Sequence, residues 1–96
     1  MIELYELRQL AAFAEAGTLS EAAEVLHLSQ PALSRNMKKL EEDLGISLFE
    51  RSKNKLELNK NGEYALELAR KLLDDADSFI TRVRDFDRKS RTITLG

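Results

Sequence analysis

Apolar side chains recur at helical spacing from the start of the chain. Leu4, Leu7, Leu10, Ala11 and Ala14 predict a helix over residues 3–16. Gly17 ends it, because glycine takes the left-handed conformation past a helix C-terminus without a Cβ clash. Thr18-Leu19-Ser20 then offers caps for a short helix through Leu26. Ser20 is the expected cap, and Thr18 with Glu21 also fits a capping box. Ala22, Ala23, Val25 and Leu26 supply its buried side. After the turn His27-Leu28-Ser29, Ser29 caps a third helix, with Pro31 in the first turn, where its missing N–H has no helical partner to lose. Leu33, Met37, Leu40 and Leu44 follow at steps of four, three and four, a single buried stripe that Gly45 stops.

The period then changes. Leu48–Arg51 and Lys55–Leu58 predict two short strands around Ser52-Lys53-Asn54, with Leu56 and Leu58 inward and Lys55 and Glu57 outward. Asn59 caps a last helix running to about Arg88. Its seam, Ala65, Ala69, Leu72, Ala76, Phe79, Val83 and Phe86, keeps a 3.5-residue period, and Leu66, Leu73 and Ile80 widen it at seven-residue steps. Residues 91–96 alternate as a strand would. The pattern predicts a mainly α fold: a winged helix-turn-helix of three helices plus a two-stranded β-hairpin wing, followed by a long linker and dimerisation helix. The divisions are 1–59 for the winged unit, 60–89 for the linker helix, and 90–96 for the start of a missing effector domain.

Composition narrows the function. The chain has 96 residues, 43% hydrophobic and 33% charged, a globular balance sufficient for one small core. Without cysteine it has no disulfide framework and no thiolate metal site. The early acids Glu3 and Glu6 and the lack of a long apolar run fit neither a signal peptide nor a membrane span, and a reducing cytoplasm suits the composition. His27 is the only histidine, so no histidine cluster exists for metal or proton relay. Glu41-Glu42-Asp43 reads as a solvated face, and Asp74, Asp75 and Asp77 lie along a helix rather than around an ion. With no phosphate-binding glycine loop either, an enzyme has almost no residue to stand on.

The net charge is −2, unlike the positive footprint of most nucleic-acid-binding domains. The bases are unevenly placed, however. Their excess falls around Arg35, Lys38 and Lys39 and around Arg51, Lys53, Lys55 and Lys60. Salt screens distant charges beyond about 10 Å, so a local patch acts on its own. On the third helix, Ser29, Gln30, Pro31, Ala32, Ser34, Arg35 and Lys38 lie at or near the N-terminus and away from the buried stripe. Small residues there permit close approach, an amide and a guanidinium read base edges, and free N–H groups meet phosphate. An ordinary solvated face is the plain alternative. The cap, the proline, the short turn and the hairpin that follows together favour a recognition helix. Arg51, Lys53 and Lys55 on the hairpin suit a minor groove, although lysines also protect exposed strand edges.

The long helix outruns its own domain. Ala65 to Leu72 is within reach of the winged unit, but about 1.5 Å per residue carries Phe86 roughly 30 Å beyond Ala65. Ala65, Ala69, Leu72, Leu73, Ala76, Phe79, Ile80, Val83 and Phe86 are therefore the candidate dimerisation residues.

Over residues 4–62 the sequence resembles the DNA-binding domain of the LysR-type transcriptional regulators. The resemblance is carried by Leu7 to Phe13, Gly17-Thr18-Leu19-Ser20, Ala22-Ala23, the run Leu26-His27-Leu28-Ser29-Gln30-Pro31-Ala32-Leu33-Ser34-Arg35, Leu40-Glu41, Leu44-Gly45 and Leu48-Phe49-Glu50-Arg51. It implies a cytoplasmic bacterial regulator that binds an inverted-repeat promoter site on double-stranded DNA as a homodimer through the linker helix. It implies no cofactor in this fragment, and a small-molecule effector in the missing C-terminal domain. Gln30, Pro31, Ser34 and Arg35 match the family's groove-facing positions and Arg51 its wing arginine. Asn54 and Glu57 stand where the family often has bases, and Asn59-Lys60-Asn61-Gly62 replaces its usual threonine-led linker cap. Two other readings stand beside this one: a coiled-coil interaction module with weak or vestigial DNA binding, and a winged-helix regulator of another family whose last helix closes on its own domain.

Overall fold

The computed structural model of the chain describes the backbone of residues 1–95 and the side chains of residues 1–91. Its elements run α1 (Leu4–Ala16), α2 (Leu19–Leu26), α3 (Gln30–Leu44), β1 (Phe49–Ser52), β2 (Lys55–Leu58) and α4 (Lys60–Leu95). The winged helix-turn-helix expected from the pattern is present. One core unites it: Leu10 and Phe13 of α1, Ala22 and Ala23 of α2, Leu33, Met37 and Leu40 of α3, Leu48 just before β1, and Ala69 of α4 are all buried together. Ala22 and Ala23 let α1 and α3 approach α2 closely, which holds the two helices of the motif at a fixed angle. Phe13 meets Phe49 edge to face at 5.5 Å and ties the wing to α1.

The helix ends follow the caps, with one correction. Thr18, not Ser20, caps α2: the Glu21 N–H donates to Thr18 Oγ1 at 3.1 Å. Leu19 is half-buried against the core, so the helix must already have begun there. Ser29 caps α3, its Oγ accepting from the Ala32 N–H at 3.2 Å. Gly17 and Gly45 take positive φ at the ends of α1 and α3, as the sequence required. His27 does the same at the end of α2 with φ 58°, which assigns the single histidine to a turn. Val25 and Leu44, expected inside, are exposed. Val25 lies on the outer side of α2, and Leu44 is the last residue of α3, beside the turn at Gly45.

The first strand is shifted by one residue from expectation, and the second is where the pattern placed it. Ser52 pairs with Lys55, leaving the two-residue loop Lys53-Asn54 with φ 49° and 65°. Two left-handed residues make the turn that matches the strand twist. Leu48 is no strand residue but a fully buried core anchor. Asn59 caps α4 as expected, accepting from the Gly62 N–H at 2.8 Å.

Two further corrections concern α4. The helix continues to Leu95 instead of ending near Arg88, so the strand expected over residues 91–96 is helical as far as it is described, and Gly96 lies outside the described residues. A strand needs a pairing partner, whereas a helix closes its own hydrogen bonds, and an Arg91–Asp87 pair one turn apart, at 3.3 Å, supports the extension. The seam also divides. Ala65, Leu66, Ala69 and Leu73 pack inward, while Leu72, Phe79, Ile80, Val83 and Phe86 stay exposed. Arg8 on α1 reaches Asp77 on α4 at 2.9 Å.

Candidate nucleic-acid interface

A helix N-terminus and a hairpin tip converge on one side of the molecule. The first turn of α3 leads out of a capped turn, and the buried stripe Leu33-Met37-Leu40 fixes its rotation. Gln30, Ser34, Lys38 and Glu41, at steps of four, four and three, therefore share the face turned towards the wing. Two adjoining clefts result. Ser34, Lys38 and Arg51 line the first, with Glu41, Ser47, Phe49 and Leu56. Gln30 lines the second with the wing residues Arg51 to Leu56 and with Gly17 to Ser20 at the start of α2. Arg51 borders both and connects them.

The structure thus brings together Gln30, Ser34, Lys38, Arg51, Lys53 and Lys55. Pro31 and Arg35 are exposed on the outer side of α3, and Ala32 is partly covered there. Ser29 differs, since its hydroxyl is engaged in capping. Lys55 is less available than its place suggests, because its ammonium lies 3.4 Å from the Glu57 carboxylate. Among the described residues, no ion pair engages Arg35, Lys38, Lys39, Arg51 or Lys53. Lys38, Arg51 and Lys53 line the clefts, and Arg35 and Lys39 stand farther round α3, so five uncommitted cations on α3 and the wing supply the local positive charge that the net charge conceals.

Sequence reasoning missed two contributors. Glu41, read as part of a solvated acidic face, is half-buried, and its Oε2 accepts from the backbone N–H groups of Leu48 at 2.7 Å and Phe49 at 3.3 Å and from Ser47 Oγ at 3.2 Å. Its neighbour Leu40 carried the helical signal, and nothing in a helical period announces a bond to residues seven and eight positions on. Asn36, on the side of α3 away from the wing, donates through Nδ2 to Gln9 Oε1 at 3.0 Å and fastens α3 to α1.

Residues 4–63 match the family of bacterial regulatory helix-turn-helix proteins of the lysR type. The chain belongs to the LysR family. The HTH-type transcriptional regulator YbhD of Escherichia coli (strain K12) is 38% identical over 89 residues, which is 93% of this chain and 28% of that protein. The HTH-type transcriptional regulator ClcR of Pseudomonas putida is 45% identical over 83 residues, 86% of this chain and 28% of that protein. Among solved structures, the DNA-binding domain of CbnR in complex with DNA superimposes with a TM-score of 0.85 at 42% identity, covering 90% of this chain and 99% of that one. The chain therefore spans under a third of the length of these two curated LysR-type relatives. Members of this family regulate transcription through DNA, and nothing found favours the coiled-coil interaction module with weak or vestigial DNA binding. Among the described residues, no helix is long and apolar enough to cross a membrane.

Proposed function

We propose that this chain is the DNA-reading part of a LysR-type regulator, with the N-terminal half of α3 in the major groove and the β1–β2 wing against the neighbouring minor groove. The observation that carries this reading is the convergence of Gln30, Ser34 and Lys38 with Arg51 and Lys53 along two joined clefts. Gln30 and Arg35 are the candidates for base edges, by amide and guanidinium geometry. Lys38, Arg51 and Lys53 supply charge to phosphates, and the left-handed turn carries Lys53 at the apex of the wing. The protein acts as a regulator in the bacterial cytoplasm and catalyses nothing in this reading. We assign no cofactor to this DNA-reading unit, and place the small-molecule effector that the family resemblance implies outside it.

The second element is a homodimer through α4. Phe79, Val83 and Phe86 border one open groove with Asp75 and Arg82, and Leu68 and Leu72 prolong the apolar stripe towards the winged unit. Ala69 and Leu73 are buried in the chain's own core and leave the partner surface, which Leu68 joins. Two copies related by a two-fold axis would cover this stripe and present two recognition helices to an inverted repeat.

The direct test uses a duplex selected by this chain from a random-sequence pool. Arg35→Ala is expected to weaken binding to it by about 1–3 kcal/mol while the circular dichroism spectrum is unchanged. Unaltered affinity in the folded variant removes Arg35 from the interface. Salt dependence gives a second measurement. With five uncommitted bases on α3 and the wing, the log–log slope is expected to be no steeper than about −4 to −5 per chain. A steeper slope shows phosphate contacts elsewhere on the molecule.

A further inference from the structure

Glu41 presents an electrostatic puzzle. It lies on the same face of α3 as Gln30, Ser34 and Lys38, and lines the cleft that contains Lys38 and Arg51. A carboxylate bordering a surface that receives a polyanion repels it and pairs off nearby cations. Neither Lys38 nor Arg51 is within ion-pair distance of Glu41, however. The carboxylate points instead at the chain entering β1. One oxygen, Oε2, accepts from three donors: Leu48 N–H at 2.7 Å, Phe49 N–H at 3.3 Å and Ser47 Oγ at 3.2 Å.

Those donors sit where the wing leaves the core. Leu48 is fully buried and Phe49 is the first residue of β1, so a bond at this point fixes the direction of the whole hairpin. Hydrogen bonds from neutral N–H to an ionised acceptor are shorter and stronger than neutral ones, and 2.7 Å lies at the short end. The other connections of the wing hold its back: Asn59 Nδ2 donates to the Ser47 carbonyl at 3.0 Å, and the Asn59 N–H donates to the Leu48 carbonyl at 2.9 Å. Glu41 alone among these ties the hairpin to the helix that carries Gln30 and Ser34.

We propose that Glu41 is a positioning residue for DNA binding: its carboxylate sets the wing at a fixed distance from the recognition helix, so that Lys53 and Arg51 meet the same duplex that α3 reads. The proposal rests on the DNA-binding reading above. A duplex presents its grooves at fixed separations, so a helix and a wing engage it together only when their spacing is already set.

A double-mutant cycle with salt titration tests it, on the duplex selected by the wild-type chain. In the wild-type background, Lys53→Ala is expected to flatten the log–log salt slope by about one, the loss of one phosphate contact. In the Glu41→Ala background the same substitution is expected to change neither slope nor affinity, because the wing is already displaced. Glu41→Gln keeps an oxygen that the three donors can reach, and is expected to restore the response to Lys53→Ala. A merely structural Glu41 would lower the melting temperature and leave the effect of Lys53→Ala equal in both backgrounds, which overturns the proposal. If Glu41→Ala fails to fold, the decision passes to Glu41→Asp, whose carboxylate is one methylene short of the donors: a full response to Lys53→Ala there overturns the proposal, and an abolished one supports it. If the wild-type chain selects no duplex, the DNA-binding reading fails and the proposal with it. If it selects one but Lys53→Ala has no effect in the wild type, only the positioning role falls.

Discussion

Replacing Phe79 and Val83 together with glutamate is expected to give a folded monomer that no longer holds a two-half-site duplex. Phe79 is 65% exposed and Val83 53%, and Phe86 beside them is 73% exposed. Large apolar side chains exposed together in one stripe mark an interaction surface. Neither residue touches the winged core, so the substitutions leave α1 to α3 and the wing intact. In the dimer, each glutamate would face the partner's apolar stripe without a counter-charge, and burying an unpaired charge costs more than the contact returns. Without the partner, the second recognition helix no longer binds at the high effective concentration that a joined pair provides. Affinity for a duplex with two half-sites is then expected to fall by about 10²–10⁴-fold, while affinity for a single half-site is unchanged. Sedimentation together with titration of both duplexes checks this. A wild-type chain that sediments as a monomer at high concentration, or a double variant with full affinity for the two-site duplex, removes the dimer from the account.

Gly62→Ala is expected to destabilise the fold more than alanine at Gly17. A Cβ at Gly62 would collide with the carbonyl oxygen of Leu48 and lie 2.8 Å from Leu58 Cδ2. The obstacle is backbone, and that backbone is pinned by the Asn59 N–H bond to the same carbonyl at 2.9 Å, so it has little room to retreat. Overpacking of this kind costs about 3 kcal/mol at the upper end of its usual range. For a domain of this size that corresponds to a drop in Tm on the order of 10–20 °C. Gly17 is the control: it takes φ 88°, but a Cβ there meets nothing within 4 Å among the described residues. Gly17→Ala is expected to cost only about 1–2 kcal/mol, through backbone conformation alone. Thermal melts of the two variants separate steric from conformational loss, and equal shifts contradict the close approach at Gly62.

The sequence made the winged fold legible because each helix carries its own punctuation. Ser29 and Pro31 open α3, Gly45 closes it, and Asn59 opens α4, all by local chemistry that needs no tertiary knowledge. Thr18 and Ser20 stood two residues apart with the same side-chain chemistry, and only the inward packing of Leu19 decided between them. The seam of α4 was legible as a period and illegible as a partition. One heptad pattern serves two partners, and the point where Ala69 and Leu73 turn to the core while Leu72 turns away is set by α1, which the period does not contain. Of the candidate interface, the clustering of bases was readable in the sequence. The bonds of Glu41 were hidden, because its partners lie beyond a helix end and across a change of secondary structure.

The pair between Arg8 and Asp77 marks a fulcrum. Beyond Asp77, α4 runs another 18 residues to Leu95, or about 27 Å at 1.5 Å per residue. A rigid arm of that length converts angle into distance. Tilting it by about 10° moves its far end by about 5 Å, more than the 3.4 Å between successive bases on a strand. In the dimer proposed above, a small change of angle where α4 leaves the winged unit would therefore be enough to shift the separation of the two recognition helices by a base pair or more.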